Sequence, residues 1–213
     1  CLVLISRFLG LSCRKNDYNL FHKIEPIDFL SASKYEKLVI EIQYVSGYEP
    51  QQYTLDELKI FLEKHLNKPE GITYSLKAIA SPGKSFYSKY DLEKIENKNR
   101  EHYTKGNTLT VYVFLADGEY AGNSENSKVL GVMYDHTSVC IFKKTIQDYS
   151  GGTFQPSESI LEATVTEHEF GHLMGLVNNG TPQQSLHEDG PNGHHCTDQN
   201  CLMYYLVETS DVI

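Results

Sequence analysis

The chain has 213 residues, 40% of them hydrophobic and 22% charged, an ordinary balance for one globular domain with a real core. Its formal net charge of −9 is spread along the sequence, which argues against nucleic acid as a partner and reads as a solvated acidic surface. No internal repeat or low-complexity tract interrupts it.

In chain order, Leu2 to Ser12 (LVLISRFLGLS) is an apolar run too short to span a bilayer, with the form of a signal-peptide core over residues 1–12. Ser12-Cys13-Arg14-Lys15 then resembles a bacterial lipoprotein processing site, with Cys13 as the lipid-bearing first residue. An ordinary secretory signal and a buried N-terminal segment are the alternatives. Export to the cell envelope or the medium implies an oxidising compartment. The missing initiator methionine reads as a processed or partial chain. Residues 13–35 are expected to be a tether, and residues 36–213 one catalytic domain with an upper half to about 175 and a lower half after it.

Lys37 to Tyr44 alternates apolar and polar residues and predicts the first strand. Thr54-Leu55-Asp56-Glu57 has the form of a capping box opening a helix, with Leu55, Leu58, Phe61, Leu62 and Leu66 on one side. Pro69 and Gly71 close it, and Ile72 to Ala80 predicts a second strand. Ser88 to His102 reads as a charged surface helix. Thr108 to Leu115 (TLTVYVFL) is the most strand-like run and is expected centrally. Asp117 to Ser127 is turn chemistry. Val129 to Tyr134 and Thr137 to Phe142 predict two short strands, with His136 a solvated residue at the tip between them. Pro156-Ser157-Glu158 introduces a long helix whose Ser159-Ile160-Leu161-Glu162 has the form of another capping box, with Ile160, Leu161, Val165, Leu173 and Met174 packing it under the sheet.

That helix carries His168-Glu169-Phe170-Gly171-His172, the pattern H-E-x-x-H. A spacing of four turns an α-helix by about 400°, so both imidazoles project from nearly one face. The pair suits Zn²⁺, which takes histidine nitrogens at about 2.0–2.1 Å. Glu169 sits about 100° further round, beside the ligands, where a carboxylate can act as general base on the attacking water. Gly175, three residues after His172, suits a left-handed helix end.

H-E-x-x-H-x-x-G is similar to the opening of the metzincin signature, which continues x-x-H and later a methionine turn. The third histidine is absent at the usual spacing, where Asn178 stands. Further on, His195-Cys196-Thr197-Asp198-Gln199-Asn200-Cys201-Leu202-Met203 gives H-C-x-x-x-x-C-x-M, which resembles the archaemetzincin branch. An insertion with Gly180, Pro182, Gly190, Pro191 and Gly193 separates the two parts, an arrangement leishmanolysin-type metzincins also tolerate. The resemblance covers about Ser159 to Tyr205. It implies a mixed α/β (α+β) zincin fold, with a twisted sheet over the active-site helix and a small irregular C-terminal subdomain. It also implies an edge strand near Val129–Tyr134 that binds an extended substrate, and the ending after Tyr204-Tyr205-Leu206-Val207 reads as a chain from which a C-terminal helix is missing.

The implied metal ligands are His168, His172 and His195. A neutral amide such as Asn178 is a poor zinc ligand, and His194 and His187 are the lesser alternatives to His195. Glu169 is the expected catalytic base, Met203 the floor beneath the histidines, and Tyr205 a residue near the oxyanion or simply a packed tyrosine. Archaemetzincins use cysteines of this segment with a later C-x-x-C for a second zinc. Since no C-x-x-C follows here, a Cys196–Cys201 disulfide is expected, with Cys140 a buried thiol. The expected activity is that of a zinc metallopeptidase, foremost a metalloendopeptidase, acting as a monomer on a peptide or protein substrate. A membrane would be reached only through a lipid anchor at Cys13. The rival reading is an exported zinc-containing binding lipoprotein without turnover. The adjacent Glu169 opposes it, because a structural zinc site needs no base.

Overall fold

The run Thr108–Leu115 is buried along almost its whole length because it lies third of five in the main sheet. Its alternate residues feed two cores. Leu109, Val111, Val113 and Leu115 join one apolar cluster, and Tyr112 and Phe114 join another. That alternation is the two-residue period of a strand covered on both faces. The computed structural model describes residues 23–125 and 127–207, with the backbone of 209–211. The signal-like run, Cys13 and the first part of the expected tether lie outside the described residues.

The elements begin with a short helix α1 (Pro26–Leu30), strand β1 (Lys37–Val45), helix α2 (Gln52–His65) and strand β2 (Ile72–Ile79). A two-residue strand β3 (Phe86–Tyr87), helix α3 (Lys89–Asn99) and strand β4 (Thr108–Leu115) follow, then β5 (Glu119–Tyr120) and β6 (Ser127–Val129). Strands β7 (Gly131–Asp135) and β8 (Ser138–Ile141) form a hairpin, before helices α4 (Lys143–Asp148) and α5 (Glu158–Leu173). A 3-10 turn over Tyr205–Val207 leads to β9 (Thr209–Asp211), which pairs antiparallel with β6.

The main sheet has the order β2-β1-β4-β8-β7. Its first four strands are parallel, and β7 is antiparallel at the edge. Helices α2 and α5 pack on one face through Leu58, Leu62, Val165 and Phe170, and α3 covers the other through Leu92 and Ile95. The fold is therefore mixed α/β, as expected. The edge strand is Gly131–Asp135, and Val129 belongs to the separate strand β6.

Four local expectations are corrected. Helix α2 starts at Gln52, before the Thr54 box, because the Glu162 carboxylate of α5 accepts from the Gln51 amide at 2.9 Å and caps it from outside. Helix α5 starts at Glu158 of the introducing Pro156-Ser157-Glu158, and its cap is Ser157 rather than Ser159, accepting from the Ile160 amide at 3.3 Å. Glu162 is then an interior residue, fully buried and ion-paired with Lys143. Ile160 faces solvent at 52% exposure, while Val165, Leu173 and Met174 are buried as expected. The end of the expected tether is packed: Phe29 is 1% exposed, and the buried Lys68 ammonium donates to the carbonyls of Asp28, Ser31 and Tyr35 at 2.7–2.8 Å.

Candidate metal centre

Helix α5 runs beneath the sheet with its last turns buried, and the spacing of four brings His168 and His172 onto one face. Their Nε2 atoms are 3.0 Å apart. Phe170 and Leu173 take the opposite side and anchor the helix in the sheet's core. The helix ends at Gly175, whose φ of +71° is the left-handed conformation that glycine adopts without penalty.

The chain then turns sharply. Val177 and Asn178 both have positive φ, and the Asn178 amide donates to Glu188 at 3.2 Å. The insertion returns through Asn192 and Gly193, where His194 (φ 67°) points outward and His195 inward. His195 thus joins the two helical histidines, and ligand atoms of all three lie within 4.8 Å of one another. Ring centroids are 4.7, 5.2 and 5.0 Å apart in the three pairs. His168 is fully buried, whereas His172 and His195 are each 9% exposed, so the cluster opens to solvent on their side. His187 is placed elsewhere, its Nδ1 3.3 Å from the Cys196 sulfur.

The donor set fits a metal ion. His168 Nδ1 lies 2.7 Å from the Leu202 carbonyl oxygen, and His195 Nδ1 lies 3.0 Å from that of Asn192. A carbonyl only accepts, so each Nδ1 carries the ring proton and the lone pair is left on Nε2. Backbone partners of this kind orient metal-binding imidazoles and raise their basicity. Three imidazoles around one point can hold a cation such as zinc.

Two glycines complete the site. A Cβ at Gly171 would collide with the Met203 sulfur, so the missing side chain lets the 2% exposed Met203 sit directly under the helix. A Cβ at Gly131 would stand 2.7 Å from a Glu169 carboxylate oxygen, so β7 can pass close over Glu169 only as glycine. Glu169 itself is fully buried beside His168. A glycine inside a helix pattern and one inside a strand pattern were the available signals for both contacts. The carbonyls of Leu202 and Asn192 had none, since backbone partners leave no mark on residue type.

Cys140, Cys196 and Cys201 are free thiols, so the expected Cys196–Cys201 disulfide is not formed in the structure. The segment is tied instead by the Cys196 amide donating to the Met203 carbonyl at 2.6 Å. Burial, with the Glu169 charge nearby, pushes the Cys140 thiol well up, so it stays protonated and is no nucleophile. Tyr205 opens the 3-10 turn with its ring 4.9 Å from that of Tyr204. No helix among the described residues is long and apolar enough to cross a membrane.

No protein-family model matches the sequence, and neither does any curated protein. A solved structure similar to it is the crystal structure of metalloproteinase-II from Bacteroides fragilis, with 16% identity and a TM-score of 0.42. The match covers 79% of this chain and 46% of that one, so the chain spans about half the length of the protein it resembles. A likeness this distant assigns neither a family nor an activity.

Proposed function

We propose that the chain is a zinc-dependent peptidase of metzincin type, with an archaemetzincin-like ligand pattern interrupted by an insertion. The observation that carries the reading is the convergence of His168, His172 and His195 beside the buried Glu169 at the outermost strand of the sheet. His168, His172 and His195 hold the metal. When bound, zinc acidifies water and polarises a carbonyl oxygen. Glu169 takes a proton at its carboxylate and returns it to the leaving amine. Strand β7, at the sheet edge, receives an extended peptide by backbone hydrogen bonds and holds it across the histidines. Met203, buried with Val177 and Cys196, keeps the underside of the cluster apolar.

The test is metal analysis and peptide-library cleavage by the purified chain, with chelator and with zinc restored. Cleavage lost on chelation and regained with zinc supports the reading. Stoichiometric zinc without cleavage of any peptide overturns it in favour of a binding protein.

A further inference from the structure

A cavity of about 330 Å³ opens beside the histidines, with His172 in its wall. Ile24, Pro26 and Phe29 from the segment before β1, Leu173 from α5 and Met133 from β7 give it an apolar side, and His136 and Asn179 add polar groups. Two further cavities, one against Met203 and Cys201 and one by Val39 and His102, touch none of the three histidines. We infer that the cavity beside His172 is a subsite for one apolar side chain of a peptide substrate, on the amino side of the bond that is cut. The inference rests on the peptidase reading above.

Size, polarity and direction each support the assignment. The volume stands at the lower end of the range of about 300–1,000 Å³ typical of ligand pockets, which suits a single side chain. The exposed Lys23 and Glu25 also line it and are of opposite charge, so net charge does not select the occupant, and the five apolar side chains favour an apolar one. Direction follows from β7. The strand starts at Gly131, over Glu169, and the cavity lies by Met133 and His136 at its later end. An extended peptide joining this edge in the antiparallel sense, the more stable pairing, runs from the Asp135 end towards Gly131. Residues near Met133 therefore precede the bond that meets Glu169.

The cavity is preformed. Lys68 holds the α1 segment through its three carbonyl bonds, and Cβ atoms at Gly175 and Gly180 would both collide with Pro26. Such close seating fixes the wall before any ligand arrives, which saves ordering cost on binding.

The test is a peptide library read by cleavage-site sequencing, with zinc-loaded wild type, Ile24→Trp and Met133→Ala. The wild type is expected to prefer a residue such as Leu, Met or Phe on the amino side of the cut. Ile24→Trp, which fills the cavity, should shift that position towards Gly or Ala by about tenfold or more in relative kcat/KM, and Met133→Ala should shift it towards larger residues. The chain has no tryptophan of its own, so blue-shifted emission of the introduced indole reports whether the cavity has been filled. Should Ile24→Trp not fold, Met133→Ala carries the test. Binding of the preferred peptide to zinc-loaded Glu169→Gln, measured by calorimetry, gives a readout without turnover and should weaken when either cavity substitution is added. Cleavage whose amino-side preference neither substitution moves, or whose selectivity lies only on the carboxyl side, overturns the inference and leaves the peptidase reading standing. Cleavage of no peptide overturns both.

Discussion

Helix α5 presents His168, Glu169 and His172 from beneath a sheet whose apolar residues on that face form one continuous cluster with α2 and α5. His195 comes from a segment whose own core is Val177, Cys196 and Met203, with Leu176 and Cys201 packed against it. The upper half is built from long elements, and the lower half from turns, isolated bridges at Cys196 and hydrogen bonds such as Thr197 amide to His187 carbonyl at 2.9 Å. Hydrophobic burial fixes the first set of side chains whether or not a metal is present. The second set is held by bonds worth about 1 kcal/mol each, so its order should depend on what His195 binds. The site thus joins a preformed face to a conditional one.

Removing chemistry from the preformed face should have the largest effect. Glu169→Gln keeps the helix and the three imidazoles, so zinc content should stay near stoichiometric while turnover falls by about 10²–10⁴-fold, the scale of an essential base. Zinc analysis beside single-turnover kinetics checks this, and wild-type cleavage by the variant would refute the role.

Breaking the link between the halves comes next. If His195 is the third ligand as proposed, His195→Ala should weaken zinc by more than the roughly 10–100-fold expected for an outer-shell partner. Chelation of the wild type should act as the variant does on structure. Amide exchange should rise over 187–204 and hardly change in β1, β4 and α5, whose protection comes from the sheet. Zinc at about 1,000 times its Kd adds roughly 4 kcal/mol to whatever state binds it, enough to order the lower half alone. Uniform loosening of both halves would end the distinction between them.

The same division explains what the sequence disclosed. Strands β1, β2 and β4 and the helix bearing H-E-x-x-H were readable because a covered sheet and a spacing of four both write periodic patterns. The third histidine was readable only through the H-C-x-x-x-x-C-x-M resemblance, since no periodicity governs a loop. Two helix starts were misplaced for a tertiary reason. Glu162, one of the residues that formed the apparent capping box of α5, instead caps α2 from outside at Gln51. The packing of Phe29 was hidden because a five-residue helix is too short to show a face. The cysteine pair suggested a bridge, but hydrogen bonds of the Cys196 backbone hold the segment without one.

A smaller effect probes the seam itself. An alanine in place of a glycine inside a helix gains up to about 1 kcal/mol of propensity, and less in the last turn, where Gly171 lies. At Gly171 the added methyl meets the Met203 sulfur, and overpacking costs about 1–3 kcal/mol. Gly171→Ala should therefore lower stability in the wild type, measured by urea unfolding. In a Met203→Ala background the collision is gone, and the same substitution should become neutral or stabilising. An unchanged sign in the double variant would mean that Met203 is not seated under the helix.

The smallest effect should fall on the far face of the sheet, where α3 lies away from the metal site. Ser88 caps this helix, its hydroxyl accepting from the Asp91 amide at 3.3 Å, and the Asp91 carboxylate accepts from the Ser88 amide at 3.0 Å. The Lys84 ammonium, with the Ser88 hydroxyl and amide, holds the Asp91 carboxyl well below the usual carboxylate range. The folded state therefore favours the anion. Its contribution is complete above the unfolded pKa of about 3.9 and is lost as pH falls below it. Ser88→Ala should cost about 1 kcal/mol, within the range for lost caps, and should flatten the decline in stability below about pH 4. Zinc affinity at neutral pH should not change, because α3 packs against Tyr112 and Phe114 on the face opposite α5. Urea titrations of parent and variant across the acid range, paired with a zinc competition assay, would show this. A change in zinc affinity with Ser88→Ala would mean that the sheet transmits strain between its faces, and that the preformed half is less independent than its packing indicates.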